Sequence, residues 1–132
     1  MSRVFYFDEI MSHQSAYSMH HREQALTGFT VTTILDEFGG TGTPDEDIAE
    51  RLQSKTHKTI IVTQDDDFAK RELFASIMKS SNMGLFLIKF PRGSKLWRQH
   101  VFMVNHWEKI KEKSTRFPFA YVVKFKNKFE KL

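Results

Sequence analysis

Short runs of β-branched and aromatic residues alternate along this chain with stretches of helical pattern, and this alternation constrains the fold more than any other feature. The runs that predict strands are VFYF at residues 4–7, FTVTTIL at 29–35, KTIIVT at 58–63 and GLFLIKF at 84–90. Residues 11–26 contain no Pro or Gly, which favours a helix between the first two strands. Strands that alternate with helices predict a three-layer α/β/α domain with a mainly parallel sheet.

The length and composition favour one domain that spans residues 1–132. A chain of this length buries about two-thirds of the surface that its unfolded form exposes. No stretch has the ~18 uninterrupted apolar residues of a membrane span, and the N-terminal MSRVFYFDEI lacks the apolar core of a secretory signal. The chain has no cysteine, which excludes disulfides and thiolate metal sites. We therefore expect a cytoplasmic protein with no membrane partner.

Two further helices are predicted from local signals. In TPDEDIAERLQSK, Thr43 is placed as the cap, Pro44 at the first helical position and Glu46 three residues after the cap. FAKRELFASIMKSS, at residues 68–81, predicts a helix directly after three aspartates. Between residues 96 and 110 the apolar side chains of another helix cover a broader arc than one packing surface requires, which favours a homodimer contact.

The charge is divided unevenly between the two parts of the chain. Residues 1–88 hold 8 Lys and Arg against 13 Asp and Glu, a net of −5, whereas residues 89–132 hold 12 against 3, a net of +9. An acidic N-terminal part and a basic C-terminal part suit a protein with a metal site beside a surface that binds an anionic polymer. Charge alone nevertheless favours the plainer interpretation, a solvated surface with a basic tail.

The basic C-terminal part, residues 94–129, is predicted to contain a helix and then one strand. FAYVVKFKNKF, at residues 119–129, alternates apolar side chains with Lys124, Lys126 and Lys128. Lysines two residues apart on a strand are about 6.6 Å apart, close to the phosphate spacing of a single nucleic-acid strand. Lysines on an edge strand also discourage aggregation, so both interpretations stay open.

Acidic residues follow the predicted strands at one edge of the sheet. Asp8 and Glu9 follow the first strand, residues 65–67 follow the third, and Asp45 begins a helix that starts at the same edge. Ligands bind beyond the carboxyl ends of the strands in such sheets. Glu46 is better explained as part of the helix cap, and Thr63 is explained as well by strand propensity as by a role in binding. If the backbone stays extended, Asp66 points away from its neighbours into solvent.

Grouped carboxylates predict a hard divalent cation at this edge. Oxygen ligands suit Mg²⁺ or Mn²⁺, which are held by a few carboxylates together with water and substrate phosphate. Such an ion can activate water and neutralise the charge of a phosphodiester that is being cleaved. The six histidines include no H-x-x-x-H pair, which argues against zinc, and the chain has no P-loop or G-x-S-x-G motif.

The motifs FYFDE, GTPDEDIAE, IIVTQDDDF and GLFLIKF resemble, in order and spacing, the compact PIN-like domains of predicted bacterial toxins related to the VapC ribonucleases. The resemblance covers residues 4–90. It implies an α/β/α domain that binds Mg²⁺ or Mn²⁺ through its acidic residues and cleaves RNA. It also implies that the protein is the toxin of a toxin–antitoxin pair whose other member is a small protein antitoxin. Carried over residue by residue, it assigns metal binding and catalysis to Asp8, Asp45, Asp65 and Asp67.

The supporting and substrate-binding residues complete this prediction. Glu9, Thr63 and Glu46 are the supporting candidates at the acidic edge. The side chains expected to position RNA are Lys89, Arg92, Lys124, Lys126 and Lys128.

Two other functions compete with the ribonuclease. Phospho-acceptor receiver domains also have acids after the first strand, an Asp after a central strand and a Lys before a Pro, which Lys89 and Pro91 in LIKFP resemble. One strand–helix unit of a receiver is missing between Asp65 and Lys89, which disfavours this class. The third hypothesis is a catalytically inactive PIN-like module that binds RNA or a protein.

Overall fold

The computed structural model describes residues 3–8, 11, 13–27, 29–39 and 44–132, except for the side chains of His13, Asp45 and Glu72. Within these residues the strands are β1 Arg3–Phe7, β2 Thr30–Thr33, β3 Lys58–Thr63, β4 Met83–Ile88, β5 Phe119–Lys124 and β6 Lys128–Lys131. The α-helices are α1 His13–Leu26, α2 Ile34–Phe38, α3 Asp45–Gln53, α4 Phe74–Met78 and α5 Leu96–Lys113, and a π-helical segment, Phe68–Leu73, leads into α4.

The described strands form one sheet in the order β2-β1-β3-β4-β5-β6. Neighbours from β2 to β5 are parallel, and β6 alone in this part of the chain runs antiparallel, against β5. The predicted mainly parallel sheet is therefore confirmed. Because the chain moves outward in opposite directions from β1 and from β3, the crevice between the ends of these two strands is the topological switch point.

Helices cover both faces of the sheet, which confirms the three-layer prediction. Alternation along β1 sends Phe5 and Phe7 to the face covered by α1 and α5, where Trp107 is fully buried. Tyr6 faces the opposite layer, with α3, the π-helical segment and α4. Each large apolar side chain buried in this way contributes about 1.5–3 kcal/mol.

Gly84 in β4 allows a close aromatic contact with the neighbouring strand. It pairs with Phe119 of β5, and a Cβ atom built on Gly84 would lie 2.1 Å from the Phe119 ring. Replacing Gly84 with Ala is therefore expected to destabilise the fold by about 1–3 kcal/mol, because the ring must leave its place. Urea unfolding followed by circular dichroism measures this loss. A combined Gly84→Ala and Phe119→Leu variant should recover part of it, and an unchanged midpoint in the single variant would contradict the contact.

The second predicted strand is shorter than expected. It ends at Thr33 instead of residue 35, because the Thr33 hydroxyl accepts a hydrogen bond of 3.0 Å from the Asp36 N–H and caps α2.

The prediction of one long C-terminal strand is wrong. The chain reverses between β5 and β6, and Lys126 and Asn127 both have positive φ, at 62° and 58°. Asn adopts positive φ more readily than most residues, so Asn127 was the signal of a turn within the lysine-rich segment. Phe125, which was placed on the apolar face, is 59% exposed at the turn.

None of the helices in the described ranges is long and apolar enough to cross a membrane.

Candidate active site at the switch point

Asp8, Thr63 and Asp65 are linked where β1 and β3 end side by side. The Thr63 hydroxyl donates a hydrogen bond of 2.7 Å to Oδ2 of Asp8 and accepts one of 3.0 Å from the backbone N–H of Asp65. Thr63 is fully buried and Asp8 is only 5% exposed. The predicted supporting position of Thr63 thus has a physical basis, since its hydroxyl joins the ends of two strands that are distant in sequence.

Asp65 also begins the next helical turn. Its Oδ1 accepts hydrogen bonds from the N–H groups of Asp67, at 3.0 Å, and Phe68, at 3.2 Å, which is the geometry of a helix cap. The N–H of Phe74 donates to the carbonyl of Ala69, five residues earlier, so the helix starts with a π-helical segment. Such segments occur frequently at functional sites.

Asp66 was predicted to be a solvent-facing bystander, and its side chain is 47% exposed, but it is also ion-paired. Its Oδ1 contacts Nζ of Lys89, which follows β4, and lies 4.0 Å from Nζ of Lys70. The hydrogen bond from Lys89 holds the pKa of Asp66 below its ordinary value. The extended backbone on which the prediction rested is absent, because Asp65 caps a helical turn at this point and side-chain alternation does not apply.

Asp67 stays a prediction as a metal ligand. Its side chain is 81% exposed and lies 3.8 Å from Nε of Arg71, one helical turn further on. The extended backbone that paired Asp67 with Asp65 in the sequence argument is absent, so only the resemblance supports this assignment.

The remaining predicted acids lie partly outside what the structure describes. Asp45 is the first residue of α3, but its side chain is not among those described. Pro44, predicted at the first helical position, is instead the cap residue of α3, and Glu9 and Thr43 lie outside the described residues. Glu46 is exposed on the first turn of α3. Among the described side chains, no group of three or more His, Asp or Glu could hold a metal ion.

The cationic residues predicted to bind RNA separate into two places. Lys89 and Arg92 line an open concavity of about 280 Å³ beyond the end of β4, together with Gln64 and Gln99. The lysine ladder does not exist, because Lys124 and Lys128 are opposite each other across the hairpin and Lys126 lies in the turn. Lys124 is also ion-paired with Glu130 at 2.9 Å.

The sheet order and the acids at its switch point define an α/β domain with acidic residues at the adjacent ends of β1 and β3. The family described as "PIN like domain" matches residues 3–89, and the chain belongs to this family. The matched range contains Asp8, Thr63, Asp65 and Lys89. No curated protein and no solved structure matches the chain.

Proposed function

We propose that this protein is a divalent-metal-dependent endoribonuclease whose centre lies at the ends of β1 and β3. The observation that carries the proposal is the hydrogen-bonded connection of Asp8, Thr63 and Asp65 at the switch point. PIN-like domains are commonly nucleases, and the family match covers all three residues.

The donor set at this position fits a hard cation. The side-chain donors of Asp8, Thr63 and Asp65 are all oxygen atoms, and Mg²⁺ or Mn²⁺ needs only one or two carboxylates besides water and phosphate oxygens. When bound, the ion would supply an activated water and neutralise the developing charge on the phosphodiester. Asp8 and Asp65 are proposed as ligands because they follow the adjacent ends of β1 and β3, and Asp45 and Asp67 are proposed as ligands from the resemblance.

The residues around the acids have distinct tasks in this proposal. Thr63 holds the Asp8 carboxylate in one orientation from a fully buried position, which limits the reorganisation needed when substrate binds. Lys89 contacts Asp66 and lies on the same concavity as Arg92, so a substrate phosphate can replace the Asp66 carboxylate as the partner of Lys89.

The proposed biological role is the toxin of a toxin–antitoxin pair with a small protein antitoxin. It is supported by the resemblance of four motifs to the compact VapC-related group. A short neighbouring gene that encodes a DNA-binding protein, and that relieves growth arrest when both are expressed, is the expected finding. Growth that is unaffected by the protein alone would contradict this role.

The proposed activity is tested by incubating the purified protein with single-stranded RNA in Mn²⁺, in Mg²⁺ and in EDTA. Cleavage is expected with either ion and not in EDTA. Mn²⁺ should also raise the melting temperature, by an amount that grows with the logarithm of the ion concentration once this exceeds the dissociation constant. No cleavage and no thermal shift would favour the inactive binding module.

The ion pair between Asp66 and Lys89 favours a second candidate, the phospho-acceptor domain. In that case Asp66 would be the acceptor, and incubation with a small phosphodonor would add one phosphoryl group to the intact mass. The family match over residues 3–89, which contains both residues, favours the nuclease.

A further inference from the structure

Two exposed aromatic side chains line one concavity outside the range that the family match covers. Trp97, near the start of α5, is 62% exposed, and Phe125, in the β5–β6 turn, is 59% exposed. Both line a concavity of about 380 Å³ between the helix and the turn. More than half of each aromatic side chain is therefore in contact with solvent and available to a ligand.

The turn that carries Phe125 is held against α5 by hydrogen bonds with His106 and Lys109. His106, 3% exposed, donates from Nδ1 to the carbonyl of Phe102 at 2.7 Å and accepts at Nε2 from the N–H of Asn127 at 3.1 Å. Nζ of Lys109 donates to the carbonyl of Asn127 at 2.8 Å. These contacts hold the hairpin turn in place, so Phe125 and Trp97 form a preorganised surface.

The cationic side chain of Arg98 lines this concavity, and Arg92, Lys95 and Lys126 lie close to its lining residues in the sequence. The guanidinium carbon of Arg98 lies 5.0 Å from the centre of the Trp97 ring. Within the described residues, Arg92, Lys95, Arg98 and Lys126 form no ion pair, in contrast to Lys111 and Lys124. Their charge is therefore available for an anionic ligand.

The aromatic concavity adjoins the one beside the acidic edge, since Pro91 and Ser94 line both. The second concavity is also lined by Lys89 and Arg92, and the ion pair of Lys89 with Asp66 places it beside the proposed centre.

We propose that Trp97 and Phe125 stack the bases of single-stranded RNA while Arg92 and Arg98 contact its phosphates, so that the strand leads to the acids at the switch point. This inference rests on the proposed function, because it names how the substrate of that site is held. Proteins that bind single strands combine a positively charged groove with aromatic side chains on which bases stack.

Charge favours RNA over a second copy of the chain as the occupant. Arg98 lines the concavity and no acidic side chain among the described residues does, so two copies that met through this face would place like charges together. A polyanion gains from the same charge, and the aromatic pair offers base-sized stacking surfaces beside the apolar side chains of Val101 and Phe102.

The test uses the two tryptophans of the chain, of which Trp97 is exposed and Trp107 is fully buried. Binding of a short oligouridylate in EDTA is expected to quench the Trp97 fluorescence. By anisotropy with a labelled oligouridylate, Trp97→Ala and Phe125→Ala are each expected to weaken binding about 10-fold, whereas Trp97→Phe retains most of the affinity. Leu96→Ala is the matched control, since Leu96 is 65% exposed on the same helix but does not line the concavity.

The outcomes separate this inference from the proposed activity. Because binding is measured in EDTA, a protein that binds through Trp97 and Phe125 but never cleaves RNA would overturn only the nuclease. Wild-type binding by both alanine variants of a protein that cleaves RNA would overturn only the stacking surface. The same measurement with a labelled oligodeoxythymidylate shows whether the affinity depends on the ribose. If Trp97→Ala instead converts a dimer into a monomer with unchanged oligonucleotide affinity, the face joins two copies and the inference is wrong.

Discussion

Replacing Asp65 with Asn is expected to lower the metal-dependent cleavage of RNA at least about 100-fold, because a bound ion contributes several kcal/mol of transition-state stabilisation. The substitution removes the charge and keeps the shape. Asn caps a helix as well as Asp does, so its side-chain oxygen can still accept from the N–H groups of Asp67 and Phe68. The melting temperature should therefore stay close to that of the wild type while single-turnover cleavage is lost.

Asp66→Asn is the matched control, because it removes the same charge from the next residue. We expect it to keep the cleavage rate within about threefold and to tighten RNA binding, since Lys89 loses an anion that competes with phosphate. Wild-type cleavage by Asp65→Asn would remove Asp65 from the proposed centre. Equal losses in both variants would indicate a general effect of charge in this segment.

Replacing Glu23 with Ala is expected to destabilise the fold by about 3–5 kcal/mol, the range measured when one partner of a buried charged pair is removed. Glu23 has a fully buried side chain that accepts hydrogen bonds from Nε1 of Trp107 at 2.8 Å, Nζ of Lys111 at 3.0 Å and the Thr27 hydroxyl at 2.7 Å. The Lys111 side chain is only 12% exposed, so its charge would lose its most buried partner. Urea unfolding at pH 7 measures the loss.

The same carboxylate makes stability depend on pH. Burial alone would raise the pKa of Glu23, but the hydrogen bonds from Thr27, Trp107 and Lys111 outweigh burial and lower that pKa below 4.5. Its contribution is thus fully present above pH 4.5 and is lost as the pH falls through the lowered value. Glu23→Gln, which keeps an acceptor for Trp107, should cost about 1–3 kcal/mol at pH 7. A constant difference between this variant and the wild type from pH 7 to pH 3 would contradict the assignment.

The layers of the fold could be predicted from local sequence patterns, because the central parallel strands β3 and β4 are buried on both faces and are written as apolar runs. The KTIIVT strand was predicted at its observed bounds, and the first helix began two residues later than predicted. The C-terminal hairpin was missed because period-2 alternation continues through the turn at Lys126 and Asn127, whose positive φ angles alternation does not reveal.

The candidate site was predictable only as far as strand ends could be located. The sequence predicted that Asp8, Thr63 and Asp65 lie at one edge of the sheet, because two parallel strands end there. The pairing of Asp66 with Lys89 was not predicted, because it depends on where the helical turn begins. Trp97 was assigned to a broad apolar arc that favoured a homodimer contact and Phe125 to the apolar face of a strand, since apolar residue types alone do not show which of them stay uncovered.

The contact between Gly84 and the Phe119 ring bears on how this chain can be divided. The range shared with the family ends at residue 89, directly after β4, yet a strand from beyond that limit completes the hydrogen bonding of β4 and fills the space above Gly84. Cutting the chain after residue 89 would leave a wholly buried strand as an open sheet edge. The part of this chain that the family match covers is therefore smaller than the part that must fold together, and a trimmed domain would be a poor substitute for the full chain in any assay.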